Sequence, residues 1–351
     1  MHGVSPGPIG SREHLCTQPN RKAKQPQYER YMAMSKQGSA APSLHESARP
    51  AGSLVEQIGN TPLLDLSKIV RDRIPSGVSI FAKAEWFNPG GSVKDRAALH
   101  MIQDLETKGR LRPGGTILDA SSGNTGIAYA MIAANRGYRL VLCLPKNANQ
   151  ERRQLLASYG AKIVPTSPLE GSDGAIREAQ RLAEENPDWV YVDQYNNSAN
   201  WRAHFEGTGP EIVAQAPGQV THFVSTVGTG GTFTGVGRYL RAVAPNVELV
   251  ELQPDSPFHG LEGLKHMETA IVPSVWDPNL ADKRLGVPTE DAYDLVRLLA
   301  QQGVLVGPSG GAALWGAISV AQSITEGIIV TVFPDSGIRY LSDTHLWKVD
   351  P

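Results

Sequence analysis

From Leu54 onward the chain alternates short apolar runs with amphipathic ones, and no other feature constrains the fold as strongly. The runs VSIFAKAE, GTILDA, RLVLCLP and AKIVPT read as strands. Between them, the stretch opening at Ser92, the stretch after SSGNTG and the stretch NQERRQLLASYG carry apolar residues at helical spacing. The rhythm continues through DWVYVDQY, VTHFVSTVG, VELVELQP and GIIVTVFPD. Such a βαβα order predicts an α/β fold of parallel sheet covered by helices on both faces. No repeat of solenoid length appears. In open α/β sheets ligands sit beyond the carboxyl ends of strands, so the loops at strand ends are where chemistry is to be sought.

With 351 residues, 40% of them hydrophobic and 19% charged, the chain can bury a full core. Two α/β domains are expected, residues 53–200 and 201–343, with the first strand able to pack on the second domain and a tail at 344–351. Residues 1–52 are rich in Pro, Ser, Gln, Lys and Arg without a sustained apolar period, and are expected to form a disordered leader, with Met32 or Met34 as alternative starts. The leader has neither the apolar core of a secretory signal nor an arginine-rich amphipathic helix. A formal net charge of −2 gives no argument for binding nucleic acid or an anionic membrane, and no apolar stretch is long enough to span a bilayer. Only Cys16 and Cys143 occur, so a disulfide framework is excluded and a reducing, cytoplasmic setting is expected. Cys143, inside RLVLCLP, reads as a core residue, since it lacks a neighbouring base. No metal is expected.

Three loops follow strands and open helices. In FNPGGSVKDRAA a Pro-Gly-Gly turn leads into a helix whose first turn contains Lys94. A cation there opposes the helix dipole, so Lys94 is either an exposed lysine that tolerates the penalty or one whose amine must deprotonate easily, as imine-forming lysines do. SSGNTG (121–126) offers amides, hydroxyls and a side-chain amide at a helix start, suited to a carboxylate or phosphate or to plain capping. VGTGGTFTG presents Gly228, Gly230, Gly231 and Gly235 before a helix; it lacks both the lysine of a Walker loop and Rossmann spacing, which leaves a phosphate cup as the functional reading. In VLVGPSGGAALWGA, Ser309 is either a helix cap or a hydroxyl aimed into a pocket. A readily deprotonated lysine, a glycine cup, an amide-rich loop and a neutral hydroxyl together are what pyridoxal phosphate would need.

The motifs IGNTPLLDL, KAEWFNPGGSVKDR, SSGNTG, DQYNNSANW, GTGGT, VGPSGGA and PDSGIRYLS, spread over residues 54–343, resemble the fold-type-II pyridoxal-phosphate enzymes of the cysteine synthase and cystathionine β-synthase family. GYRLVLCLPKNANQERRQLLASYGAKIV and DPNLADK look most like the B-type cysteine synthases. The resemblance implies two domains, each with a mainly parallel twisted sheet. It implies that Lys94 is the Schiff-base lysine, that Asn124 contacts the ring hydroxyl, that Gly228, Thr229, Gly230, Gly231 and Thr232 hold the phosphate, and that Ser309 meets the pyridine nitrogen. Ser121, Ser122, Gly123, Thr125 and Gln194 would bind the amino-acid substrate; Ser121 stands where the family often has Thr. The implied reaction makes L-cysteine from O-acetylserine or O-phosphoserine and a sulfur donor through an aminoacrylate, in a homodimer. HGLEGLKHMETAIVP carries Lys265 and His266 toward the site entrance, and Lys265 is a candidate for the substrate phosphate or an ordinary solvated lysine. The rivals are a cystathionine β-synthase, a desulfhydrase, an amine-adding relative, a dehydratase, which Gln194 disfavours, and a catalytically retired homologue that binds a partner. His14 and Cys16 are weak candidates as haem ligands.

Overall fold

The computed structural model describes residues 52–121 and 123–347; the leader apart from Gly52, with His14, Cys16, Met32 and Met34, and also Ser122, lie outside the described residues. Among the described residues ten strands form two sheets. In chain order the elements are β1 (Leu63–Asp65), β2 (Gly77–Ala84), α1 (Lys94–Thr107), β3 (Thr116–Ala120), α2 (Asn124–Arg136), β4 (Arg139–Pro145), α3 (Gln150–Ser158), β5 (Lys162–Thr166), α4 (Gly171–Glu185) and β6 (Trp189–Tyr191). Then come α5 (Ala199–Ala203), α6 (Gly209–Gln215), β7 (His222–Thr226), α7 (Gly231–Val243), β8 (Glu248–Pro254), β9 (Lys283–Val287), α8 (Thr289–Gln301), α9 (Pro308–Ala321), β10 (Glu326–Phe333) and a short α10 (Thr344–Trp347).

The smaller sheet has the order β5-β4-β3-β6 and is wholly parallel. The larger has the order β1-β2-β10-β7-β8-β9, parallel except at β1. β1 and β2 thus join the sheet built otherwise from residues beyond 220, and β10 inserts beside β2 with Ile329 opposite Ile80. Because β2, β7 and β10 run the same way, the segments leaving them toward Lys94, the residue 228–232 loop and Asp335 emerge at one end. The sheet order, rather than sequence proximity, assembles the site.

The helices follow from residue spacing. In α7, Phe233, Val236, Gly237 and Leu240 recur at helical intervals on one buried face, whereas Arg238 and Arg241 pair with Asp277 and Asp282 near the surface. Leu240 is fully buried, and Leu240→Ala would remove roughly 2–5 kcal/mol of packing. α9, with the sequence PSGGAALWGAISVA, is buried on nearly every side, and its small residues let it lie close to β8 and α8. It has Pro at its first position, where the missing N–H costs no helix bond. The tail is anchored: Leu346 is fully buried and the Trp347 indole donates to the Tyr340 carbonyl at 2.7 Å. Among the described residues no helix is long and apolar enough to cross a membrane.

Candidate active site

A cavity of about 260 Å³ lies where the strand ends of the two sheets meet, and Lys94, Ser121, Gly123, Asn124, Thr125, Gln194, residues 228–232, Lys265 and Ser309 all line it. Of the side chains singled out in the sequence for this site, Ser122 falls outside the described residues.

Lys94 is the first residue of α1. Its approach is held by the Val93 N–H donating to the Pro334 carbonyl at 2.8 Å and by a bridge between Ser92 and Asp335. Burial pushes the amine below its usual pKa, against the attraction of the Asp335 and Glu85 carboxylates. Two residues on, Arg96 is buried in an ionic cluster with Glu85 (Nε to Oε2, 2.7 Å) and Glu211 (Nη1 to Oε1, 2.7 Å), and Lys83 meets the same Glu211 at 2.6 Å. This cluster pins α1 to β2 and α6, so the helix start that carries Lys94 is fixed from behind.

The loop at 228–230 leads into α7, whose first residues, Gly231 and Thr232, complete the cup and whose first amides have no partner within the helix. A Cβ at Gly228 would collide with the Gly263 carbonyl oxygen, and one at Gly231 with the Asn200 amide. Gly228 and Gly231 are therefore held as bare backbone. Asn200 donates to Thr229 Oγ1 at 3.2 Å, and His204 Nε2 lies 3.3 Å from Thr232 Oγ1. His204 sits in a π-helical turn (His204–Thr208) that the sequence did not suggest, and burial holds it neutral, well below the usual histidine pKa.

On the smaller sheet, the Ser121 hydroxyl accepts from the amides of Gly126 at 2.9 Å and Gly123 at 3.4 Å, closing the turn into α2. Thr125 donates to Gln194 Oε1 at 2.8 Å, while Gln194 Nε2 donates to the Ala120 carbonyl at 2.9 Å. Asn124 donates to Asp335 Oδ2 at 2.7 Å and accepts from Arg339 Nη1. Ser309 is buried at the second position of α9.

Lys265 stands 5.2 Å above the Tyr195 ring centroid, its amine lowered in pKa by burial and raised by Asp173. His266, its neighbour, lines a separate groove with Trp276 and Arg284 and lies 3.0 Å from Thr269 Oγ1. Cys143 is fully buried in β4, its thiol pushed up to about 12 by burial, in keeping with a core role.

Sequence reasoning missed Arg152, Asp335, Arg339 and Tyr340 as individual site residues. Arg152 lines the cavity from α3, forms a two-point ion pair with Glu262 (Nη2 to Oε2, 3.0 Å) and lies 5.4 Å from the Tyr340 ring centroid. In α3 it reads as one more charge on an amphipathic helix. The motif PDSGIRYLS flagged the others only collectively.

The model of the pyridoxal-phosphate-dependent enzyme family matches residues 54–335. The chain belongs to that family. A cysteine synthase of Aquifex aeolicus is 48% identical over 296 residues, 83% of this chain and 90% of that protein. Cysteine synthase B of Escherichia coli is 41% identical over 291 residues, 83% and 94% of the two chains. The crystal structure of an O-ureido-L-serine synthase superposes with a TM-score of 0.80 at 40% identity, covering 86% of this chain and 97% of that one. Within this family the chain is of the cysteine synthase and cystathionine β-synthase type, with the fold-type-II architecture. The site fits the cofactor on its own chemistry. A backbone cup where side chains would collide suits a phosphate monoester, a lysine disfavoured as a cation suits an imine, and a buried neutral hydroxyl suits a ring nitrogen.

Proposed function

We propose that this chain makes L-cysteine from an activated serine, O-acetylserine or O-phosphoserine, and a sulfur donor by pyridoxal-phosphate-dependent β-replacement. One observation carries the reading: a single cavity joins Lys94, the 228–232 cup, Ser121 and residues 123–125. Bound pyridoxal phosphate supplies an electron sink that allows a substrate to lose its Cα proton and its β-substituent. In this proposal Lys94 holds the cofactor, the cup takes its phosphate at the α7 N-terminus, Asn124 meets the ring hydroxyl and Ser309 the ring nitrogen. A hydroxyl at that nitrogen does not keep it protonated, which favours elimination over transamination.

The chain's own residues then divide the work. Ser121, Ser122, Gly123, Thr125 and Gln194 orient the substrate carboxylate, with the Thr125 to Gln194 hydrogen bond bracing the loop. The Lys94 amine, whose charged form burial disfavours, takes the proton at the substrate Cα and later returns it there. Lys265 faces the leaving group and favours an anionic one. The sulfur nucleophile replaces that group at the β-carbon, so the exchange is redox-neutral. A homodimer in the cytoplasm completes the proposal, supported by the family resemblance.

The test is the visible absorption spectrum of the purified protein, titrated separately with O-acetylserine and O-phosphoserine before a sulfur donor is added. A cofactor band that shifts with one ester, and returns on adding sulfide as cysteine forms, is expected. A protein without a cofactor band, or a band that neither ester disturbs, overturns the reading.

A further inference from the structure

Asp335 follows β10 and is fully buried. Its backbone bridges Ser92, just ahead of Lys94, and its carbonyl accepts the Gly307 N–H at 3.3 Å, just ahead of Ser309. Its Oδ2 accepts from the Asn124 amide and from the Tyr340 hydroxyl, both at 2.7 Å. A Cβ at Gly307 would collide with Oδ1, so the chain keeps a glycine where this carboxyl needs room. Oδ1 itself has no hydrogen-bond partner among the described residues. One residue thus touches the three segments that carry Lys94, Asn124 and Ser309, the first and last through its backbone and Asn124 through its carboxyl.

Asn124 is gripped from both ends. Its Nδ2 donates to Asp335 and its Oδ1 accepts from the Arg339 guanidinium. A guanidinium only donates, and Oδ2, which already accepts from both the Asn124 amide and the Tyr340 hydroxyl, acts as an acceptor. Flipping the amide would set carbonyl against this acceptor oxygen and N–H against guanidinium. Since Asn124 lines the cavity, the amide orientation decides what the site offers there. One of the two Nδ2 hydrogens goes to Asp335, leaving the second for a ligand.

We propose that Asp335, opposed by Arg339, is a positioning residue that locks the Asn124 amide so that it presents an N–H to the cavity, selecting an anionic oxygen acceptor such as an ionised ring hydroxyl. The inference rests on the assignment of Asn124 to the cofactor ring.

The test measures pyridoxal phosphate affinity and the absorption bands of the loaded protein, with the Tm of the unloaded protein as a control for folding. An amide at 335 can donate as well as accept, so D335N frees Asn124 to turn over. D335N is expected to weaken cofactor uptake about tenfold and to change the ratio of the absorption bands at a near-native Tm. Native affinity and bands in D335N overturn the proposal. Should D335N fail to fold, R339M releases the opposite grip: it is expected to change the bands, and unchanged bands overturn the proposal. N124A separates the two levels. If N124A leaves the bands unchanged, the assignment of Asn124 to the ring fails and this proposal with it; if N124A alters them and D335N does not, only the role of Asp335 fails.

Discussion

The cup at 228–232 and the loop at 121–125 face the same cavity but recognise in different ways. The cup is backbone packed so closely that an added Cβ at Gly228 meets another backbone carbonyl. The other loop works through side chains, and a Cβ on Gly123 would meet nothing within 4 Å. On the proposed reading the larger sheet would hold what must be constant, a phosphate, at glycines such as Gly228 and Gly231 where an added Cβ collides. The smaller sheet presents what can be tuned, through residues replaceable one at a time.

Substitutions on each side test this contrast. Gly228→Ala should weaken cofactor binding by about a hundredfold, because the obstructing atom is backbone and cannot swing away; titration of the unloaded protein with pyridoxal phosphate measures it, and near-native affinity would erase the contrast. Gln194→Ala should raise KM for the activated serine by roughly 10- to 100-fold with cofactor affinity unchanged, as steady-state kinetics beside the same titration will show.

Beneath the tunable loop, Asp119 is fully buried at the end of β3, and burial raises its carboxyl to about 7. A folded pKa above the unfolded value means that the acid is tolerated and the anion penalised, so its cost is absent below about 4, grows between there and pH 7, and is complete above. Asp119→Asn should therefore gain stability over the native protein as pH rises through that window, by about 2 kcal/mol at pH 8 once relaxation is allowed for. Urea unfolding at pH 5 and pH 8 measures this, and a gain independent of pH would contradict it. Lys265→Ala should lower kcat/KM about tenfold with O-phosphoserine and much less with O-acetylserine; equal losses on both esters would remove Lys265 from the leaving-group site. Smallest of all, Gly123→Ala should leave cofactor affinity within about twofold, and a large loss there would show that both loops are sterically locked.

Much of the fold was legible because its signals are local. The run RLVLCLP is β4 and GTILDA contains β3, and the Pro-Gly-Gly turn does open a helix at Lys94. The site loops were legible for the same reason, as short runs of glycine and small polar residues between a strand and a helix. What the sequence concealed depends on distant pairings. Nothing local to Asp335 says that it grips Asn124, and Arg152 finds Glu262 only because two sheets bring them together. The sequence also set His266 beside Lys265, yet the backbone turns the two side chains into different grooves. The π-turn at His204 leaves no periodic signature, since Trp201, Ala203 and Phe205 suit an ordinary helix equally well.

The placement of β10 between β2 and β7 has a consequence for how this protein comes into being. β2 leads to Lys94, yet its parallel neighbour β10 follows every other strand of the larger sheet in the chain. A nascent chain that has already displayed its lysine still lacks the strand that seats it, and long-range parallel pairing of this kind is slow. Until β10 has been made, the larger sheet stays divided between β2 and β7 and Asp335 is absent. The order of synthesis thereby delays the seating of Lys94 until β10 is in place.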